Sequence, residues 1–157
     1  MTVQSMEQLL TRHQLLRGLA PEAVALIVGC AQNVVFDPGQ FLLREGESAD
    51  VFYLIRRGHV AIEVHSPGQR PVVIETRGPE SVVGWSWFVP PYRWTFDARA
   101  IEGVGAIAID GACLRGKATS DPAFGFALLT RVATALLAQL QATRLRLVDV
   151  YGDAHGT

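Results

Sequence analysis

The chain has 157 residues, about half of them apolar, with 14 basic and 15 acidic side chains and a net charge of −1, enough length for one domain with a proper core. A single lysine, Lys117, and scattered arginines leave no basic face, which argues against direct binding of nucleic acid. No apolar run approaches the roughly 18 residues of a membrane span, and Met1–Leu10 lacks the basic-then-apolar layout of a signal peptide, so the expected location is the cytoplasm, away from the membrane.

In chain order, Met6, Leu9, Leu10, Leu15, Leu16 and Leu19 recur at spacings of three and four and predict a short helix over Ser5–Leu19. Pro21 opens a second helix that ends near Gly29. Cys30 and Cys113 stand far apart among apolar neighbours and read as buried thiols in a reducing compartment rather than a disulfide. From Val34 to Ile109 the texture changes to short β-rich runs punctuated by glycine. These are Asn33–Phe36, Gln40–Leu43, Val51–Ile55, His59–Val64, Pro71–Glu75, Phe96–Ile101 and Gly105–Ile109. Seven or eight short strands with turn signals between them predict an antiparallel sandwich or jelly-roll barrel.

The last third reads as one helix. Asp121 is an N-cap, Pro122 takes the first helical position, and nothing but Gly125 interrupts the run to Val150. Leu129, Ala133, Leu136, Leu140, Thr143, Leu147 and Val150 alternate spacings of four and three, the seam of a coiled coil. Leu128, Val132, Leu137, Leu145 and Val148 widen the apolar arc. One face is therefore expected on the barrel and another against a second copy, with Leu129, Ala133, Leu136, Leu140, Thr143 and Leu147 as the homodimer interface. A helix docked wholly on its own barrel is the plainer alternative.

All three tryptophans, Trp85, Trp87 and Trp94, fall between Val82 and Ala100, around Pro90-Pro91 and beside Arg93 and Thr95. Two adjacent prolines cannot continue a ladder or a helix, so the middle of this stretch is a loop or short cap. Three indoles in one loop either pack hard against a core or line a pocket.

The run from Asp37 to Glu63, with Gly39, Gly46 and Gly58 at intervals of seven and twelve, resembles the first half of a cyclic-nucleotide-binding domain, the effector module of the catabolite-activator and Fnr family. Glycine tolerates the positive φ that the corners of such a roll demand. The resemblance runs from about Leu9 to Val150. It implies an α+β, mainly β fold: an eight-stranded antiparallel β-roll with a helical N-terminus (1–30), a roll over 33–110 and a C-terminal dimerisation helix over 121–150. It also implies a non-catalytic regulatory or sensory module, with cyclic AMP or cyclic GMP as the possible ligand and a regulatory protein as a possible partner.

In that family a cassette of Gly-Glu, a short helix, a loop and Arg-Ser/Thr-Ala holds the ligand. Helix N-terminal N–H groups and the Arg neutralise the cyclic phosphate, and the Glu holds the ribose. Gly84 matches the first position and Asp97-Ala-Arg99-Ala100 the strand that follows. Trp85 stands where the Glu is expected, and Trp94-Thr95 where Arg-Ser/Thr is expected, in a loop about one residue shorter. Arg93 replaces the missing arginine if the loop shifts register; otherwise the tryptophans plug the pocket and the module works through its helix seam. Gly84, Trp85, Ser86, Arg93, Trp94, Thr95 and Gln139 are the candidate pocket residues, the last because the family's long helix offers a polar contact to the base. Arg99 reads as a surface residue, solvated or paired with Asp97.

Regulators of the family continue into a winged helix-turn-helix; this sequence ends at Thr157, so no DNA-binding domain is expected in it. Enzyme readings find little. His59, Glu63 and His65 are too few for a cupin-type metal site. Ser86 lacks a nucleophile-elbow context. His13 and His155 have no neighbours of interest, and no Gly-Lys-Ser/Thr phosphate loop occurs.

Overall fold

The computed structural model describes residues 4–155, with side chains to 152, so the expectation for the His155 side chain and that for the first three residues lie outside it. In chain order the elements are α1 (Met6–Arg12), α2 (Pro21–Val28), β1 (Ala31–Phe36), β2 (Phe41–Leu43), β3 (Val51–Arg57), β4 (Val60–Val64), β5 (Val72–Arg77), β6 (Val82–Val83), β7 (Asp97–Ala100), β8 (Val104–Asp110), α3 (Gly111–Ser120) and α4 (Pro122–His155). The strands form two antiparallel four-stranded sheets, ordered β1-β8-β3-β6 and β2-β7-β4-β5. This is the expected roll with helices before and after it.

Alternation along the strands sends Leu54, Ile107 and Ile109 from one sheet, and Val60, Ile62 and Ala98 from the other, into one core. The three glycines of the recognised run take the positive φ that their corners require: 88° at Gly39, 87° at Gly46 and 83° at Gly58. At Gly58 no side chain is possible, because a Cβ would lie 2.3 Å from the Gly103 carbonyl oxygen.

The N-terminal helix is shorter than its leucine spacing predicts. Ser5 caps it through a reciprocal bond with Gln8, but it stops at Arg12 because His13 turns extended (ψ 139°). Leu15 and Leu16 are still buried. Successive three-residue turns, Leu16 N–H to the His13 carbonyl and Leu19 N–H to that of Leu16 (both 3.0 Å), reproduce the helical spacing without a helix. Helix α2 spans Pro21 to Val28 as expected. Two elements were not foreseen. Strand β6 is only two residues long, and α3, with Gly111 and Gly116 among its ten residues, has no apolar repeat to betray it.

Cys30 and Cys113 are not free thiols: they form a disulfide, with Cα atoms 6.0 Å apart. The β1–β8 register explains the approach. Ala31 lies opposite Ile109, and the Asp110 N–H donates to the Cys30 carbonyl at 2.8 Å. Cys113, within the first turn of α3, is thereby carried over Cys30. Apolar neighbours in the sequence told of burial and nothing of this proximity.

Helix α4 starts as expected, with the Phe124 N–H donating to Asp121 Oδ1 at 3.2 Å. Its 34 residues reach about 50 Å. Phe124, Leu128 and Val132 are buried on the roll, whereas Leu129, Leu136, Leu140 and Leu147 are exposed. Leu137, Leu145 and Val148 are exposed too, so only the first part of the second apolar set serves the barrel. One expectation about hydropathy is corrected: Pro122–Gly152 contains an 18-residue window of mean hydropathy 1.6, long and apolar enough to cross a membrane by length and composition. From Pro122 to Thr143 only Arg131 is charged, and alanine, threonine and glutamine fill the gaps between leucines.

Candidate functional site

The segment after β6 places its aromatic side chains at three different depths. At Gly84 the chain takes φ 99°, and a Cβ there would sit 2.6 Å from the ring of Trp94. Trp94 is held in that position by its backbone, whose N–H donates to the Glu47 carbonyl (3.0 Å) while its carbonyl accepts from the Gly46 N–H (2.9 Å). The ring is buried. The Cζ3–Cη2 edge of Trp94 thus lies against the first residue of the cassette, the segment where the resemblance puts the cyclic phosphate.

Trp87 goes deeper. It stacks on Phe52 with ring centroids 4.3 Å apart and planes 7° apart, and meets Phe88 edge-on. Its Nε1 is buried without a hydrogen-bond partner. Between Trp87 and Trp94 the chain passes a cis Pro90-Pro91 bond and Tyr92 at φ 55°. Arg115 of α3 grips this loop, its guanidinium donating to the Trp87 carbonyl and lying 4.1 Å from the Tyr92 ring centroid.

Trp85 points the other way, toward α4. Its Nε1 donates to Gln139 Oε1 at 3.0 Å, and Arg77 approaches the same oxygen at 3.5 Å. Arg77 also faces Glu75 (3.6 Å), which accepts from Arg146 at 3.1 Å. Glu75 and Arg77 lie two apart on β5, opposite Ile62 and Val60, so they share the sheet face that looks inward. A polar chain therefore runs from the cassette through Trp85, Gln139, Arg77 and Glu75 to Arg146 near the far end of α4.

Of the seven candidate pocket residues, Trp85 and Gln139 are bonded to each other, and Gly84 and Trp94 are packed together. Arg93 is exposed and donates to the Gly46 carbonyl at 3.2 Å. Thr95 is exposed and Ser86 half-buried. Trp85 and Gln139 border a cleft of about 430 Å³ between the β5–β6 turn and α4, with Arg77, Arg131, Glu80 and Ser81 among its other walls. Arg131 is tied there to the Arg17 carbonyl.

Arg77, Glu75, Arg115 and Arg146 are the participants that the sequence reading missed. Alternation from Glu75 would have paired Arg77 with it, had the strand been carried two residues further. Arg115 was hidden with its helix.

In the same sheet as Glu75 and Arg77, Arg99 of β7 does not pair with Asp97. It holds the buried carboxylate of Glu63 through Nη2 at 2.6 Å. Asp97, also buried, accepts from the Glu45 N–H (2.7 Å) and meets His65 Nδ1 at 2.5 Å. His59 faces Glu102 at 2.5 Å. The three residues weighed as metal ligands thus each have a separate partner, and no cluster of three or more such groups able to hold a metal occurs among the described residues.

Comparison with known proteins agrees with this architecture. The family model for the cyclic nucleotide-binding domain matches residues 33–121. A CRP-like cAMP-activated global transcriptional regulator of Mycobacterium tuberculosis is 29% identical over 152 residues, 96% of this chain and 66% of that protein, so the chain spans just under two thirds of the curated relative. Among solved structures, a cyclic nucleotide-binding protein from Geobacter metallireducens is similar at 28% identity and TM-score 0.77, covering 88% of this chain and 99% of that one. The N-terminal domain of a transcriptional regulator from Streptomyces coelicolor matches at 28% identity and TM-score 0.66, covering 85% and 94%. The sensor domain of DNR from Pseudomonas aeruginosa, 21% identical with TM-score 0.67 over 86% and 91%, shares the fold. With the roll, the cassette position and the long helix all in place, the chain belongs to the cyclic nucleotide-binding domain family.

Proposed function

We propose that the chain is a non-catalytic regulatory module in which Trp94 takes the seat of the cyclic phosphate and α4 carries the output to a second copy. One observation carries the reading: the Trp94 ring lies so close to Gly84 that a Cβ there would be 2.6 Å away. A cyclic phosphate needs N–H donors and a cation at that seat. Here it would meet an apolar ring, and Arg93 is turned outward to the Gly46 carbonyl. With Trp85 in place of the ribose-binding Glu, both specific contacts that the resemblance implies are missing.

Output follows from the polar chain. Trp85 fixes the cassette to Gln139 on α4, so a shift of either biases the other and hence the dimer formed through Leu129, Ala133, Leu136, Leu140, Thr143 and Leu147. A regulatory protein partner would meet the same seam or the tryptophan-rich cap. A relative named as a transcriptional regulator supports a cytoplasmic setting. A second reading keeps a sensory role with a different ligand, in the cleft of about 430 Å³ whose walls include Arg77, Arg131 and Trp85.

The relative's name makes cyclic AMP the first ligand to test, with cyclic GMP beside it. Isothermal calorimetry on the wild-type protein is expected to show no saturable heat with either nucleotide at millimolar concentration. One-to-one binding abolished by Arg93→Ala would contradict the filled seat and return the phosphate to Arg93.

A further inference from the structure

The disulfide joins three parts of the molecule that the cassette depends on. Cys30 ends the α2 segment and precedes β1, and Cys113 lies in the first turn of α3. Helix α3 then makes two further attachments. Lys117 Nζ donates to the Leu26 carbonyl of α2 at 2.7 Å, and Arg115 holds the Trp87 carbonyl and the Tyr92 ring. Where α3 meets α4 the approach is close: a Cβ at Gly125 would lie 2.7 Å from the Ala118 carbonyl oxygen. Helix α3 is thus the rigid link between the crosslink, the cassette and the output helix.

Both cysteines line a cleft of about 300 Å³ that also includes Gly29, Gln32, Val51 and Asp110. Cys30 is buried and Cys113 half-buried, so the Cys113 sulfur is the one within reach of a thiol in solution. The backbone bond from the Asp110 N–H to the Cys30 carbonyl belongs to the β1–β8 pairing and needs no crosslink. After reduction the two thiols therefore stay adjacent, ready to close again, although 83 residues separate them in sequence.

We propose that Cys30–Cys113 is a reversible dithiol–disulfide modification site whose redox state sets how firmly α3 holds the cassette. The co-reactant is a dithiol in one direction and a small disulfide in the other. In reduction, a dithiol's thiolate attacks Cys113 Sγ; the S–S bond breaks, and Cys30 leaves as a thiolate and takes up a proton. The second thiol of the reagent then attacks the mixed disulfide, freeing Cys113 as a thiolate that is protonated in turn. Two electrons pass to the protein, and the reagent leaves as its own disulfide. Oxidation by a small disulfide is the same pair of exchanges reversed. With the crosslink open, α3 keeps Lys117, Arg115, the buried Leu114 and its packing on α4 but loses its covalent tie to the segment before β1, and the loop from Trp87 to Tyr92 loosens with it.

The proposal stands apart from the nucleotide and dimer readings, and its test uses neither. Full-length protein is treated with dithiothreitol or with oxidised glutathione, its free thiols are counted after unfolding, and amide hydrogen exchange is followed in parallel. Two free thiols are expected after dithiothreitol and none after oxidised glutathione. Exchange in α3 and in residues 86–94 is expected to be at least about tenfold faster in the reduced form, with β8 unchanged. Cys113→Ser and Cys30→Ala should each show the fast pattern whatever the reagent, and either folded variant suffices. Two free thiols surviving oxidised glutathione, or the same exchange in both redox states, would overturn the proposal.

Discussion

Gly84 and Trp94 act as a single unit: the ring fits because the glycine lacks a side chain, and φ 99° suits no other residue. Gly84→Ala is expected to cost about 2–4 kcal/mol from strain and overpacking, read by urea unfolding. Trp94→Ala alone should cost about 3–5 kcal/mol, and the double variant should fall short of the sum by more than about 1 kcal/mol. Strict additivity would mean that the ring does not rest on Gly84. His13 gives a second residue-scale test. Burial holds its imidazole below the ordinary 6.5, with the nearby Glu80 carboxylate only partly opposing the effect. Folded His13 therefore stays neutral where the unfolded chain begins to take up a proton, so stability falls as pH drops from 7 through 6.5. His13→Asn keeps an acceptor where Nδ1 receives the Leu15 N–H (3.2 Å) and should flatten that part of the pH profile. An unchanged slope between pH 7.5 and 5.5 would exclude His13 as its source. From the sequence alone the resemblance puts Gly84 at the cassette's first position and Trp85 and Trp94 where Glu and Arg are expected. Which way each indole points was not legible, because a shift of one residue in the loop reverses the faces.

At the scale of elements, the cassette is gripped from both sides, by α3 through Arg115 and by α4 through Gln139. Gln139→Leu removes the acceptor of the Trp85 N–H and leaves that half-buried donor without its bond to α4. A loss of about 1–2 kcal/mol is expected, together with a change in tryptophan emission that Gln141→Leu on exposed helix surface does not produce. Equal effects of the two variants would remove Gln139 from the coupling. Strong local signals made most elements readable: Pro21, the Asp121-Pro122 start and the glycines between strands all mark true boundaries. Failures occurred where local pattern and tertiary need diverge. Leu15 and Leu16 are buried from turns rather than from a helix. Helix α3 is fixed by its disulfide, by Lys117 and by Arg115, none of which leaves a periodic trace in the sequence.

For the whole molecule, the exposed apolar row along α4 supports the proposed second copy. Leu129, Leu136, Leu140 and Leu147 are exposed along it, while Leu128 and Val132 already cover the roll. Leu136→Glu combined with Leu140→Glu should give a folded monomer by light scattering, at half the wild-type mass. An unchanged mass would place the interface elsewhere. The heptad spacing predicted an apolar row on α4, and its leucines are exposed there; the crosslink between Cys30 and Cys113 was not legible, since no local rule joins positions 83 residues apart. The central claim is that the family's phosphate seat is filled by the protein itself. A crystal structure grown in millimolar cyclic AMP tests it most directly. The expected result is the Trp94 ring still against Gly84, with no nucleotide in the roll. A cyclic phosphate at Gly84, with Trp94 displaced and Arg93 turned inward, would contradict it.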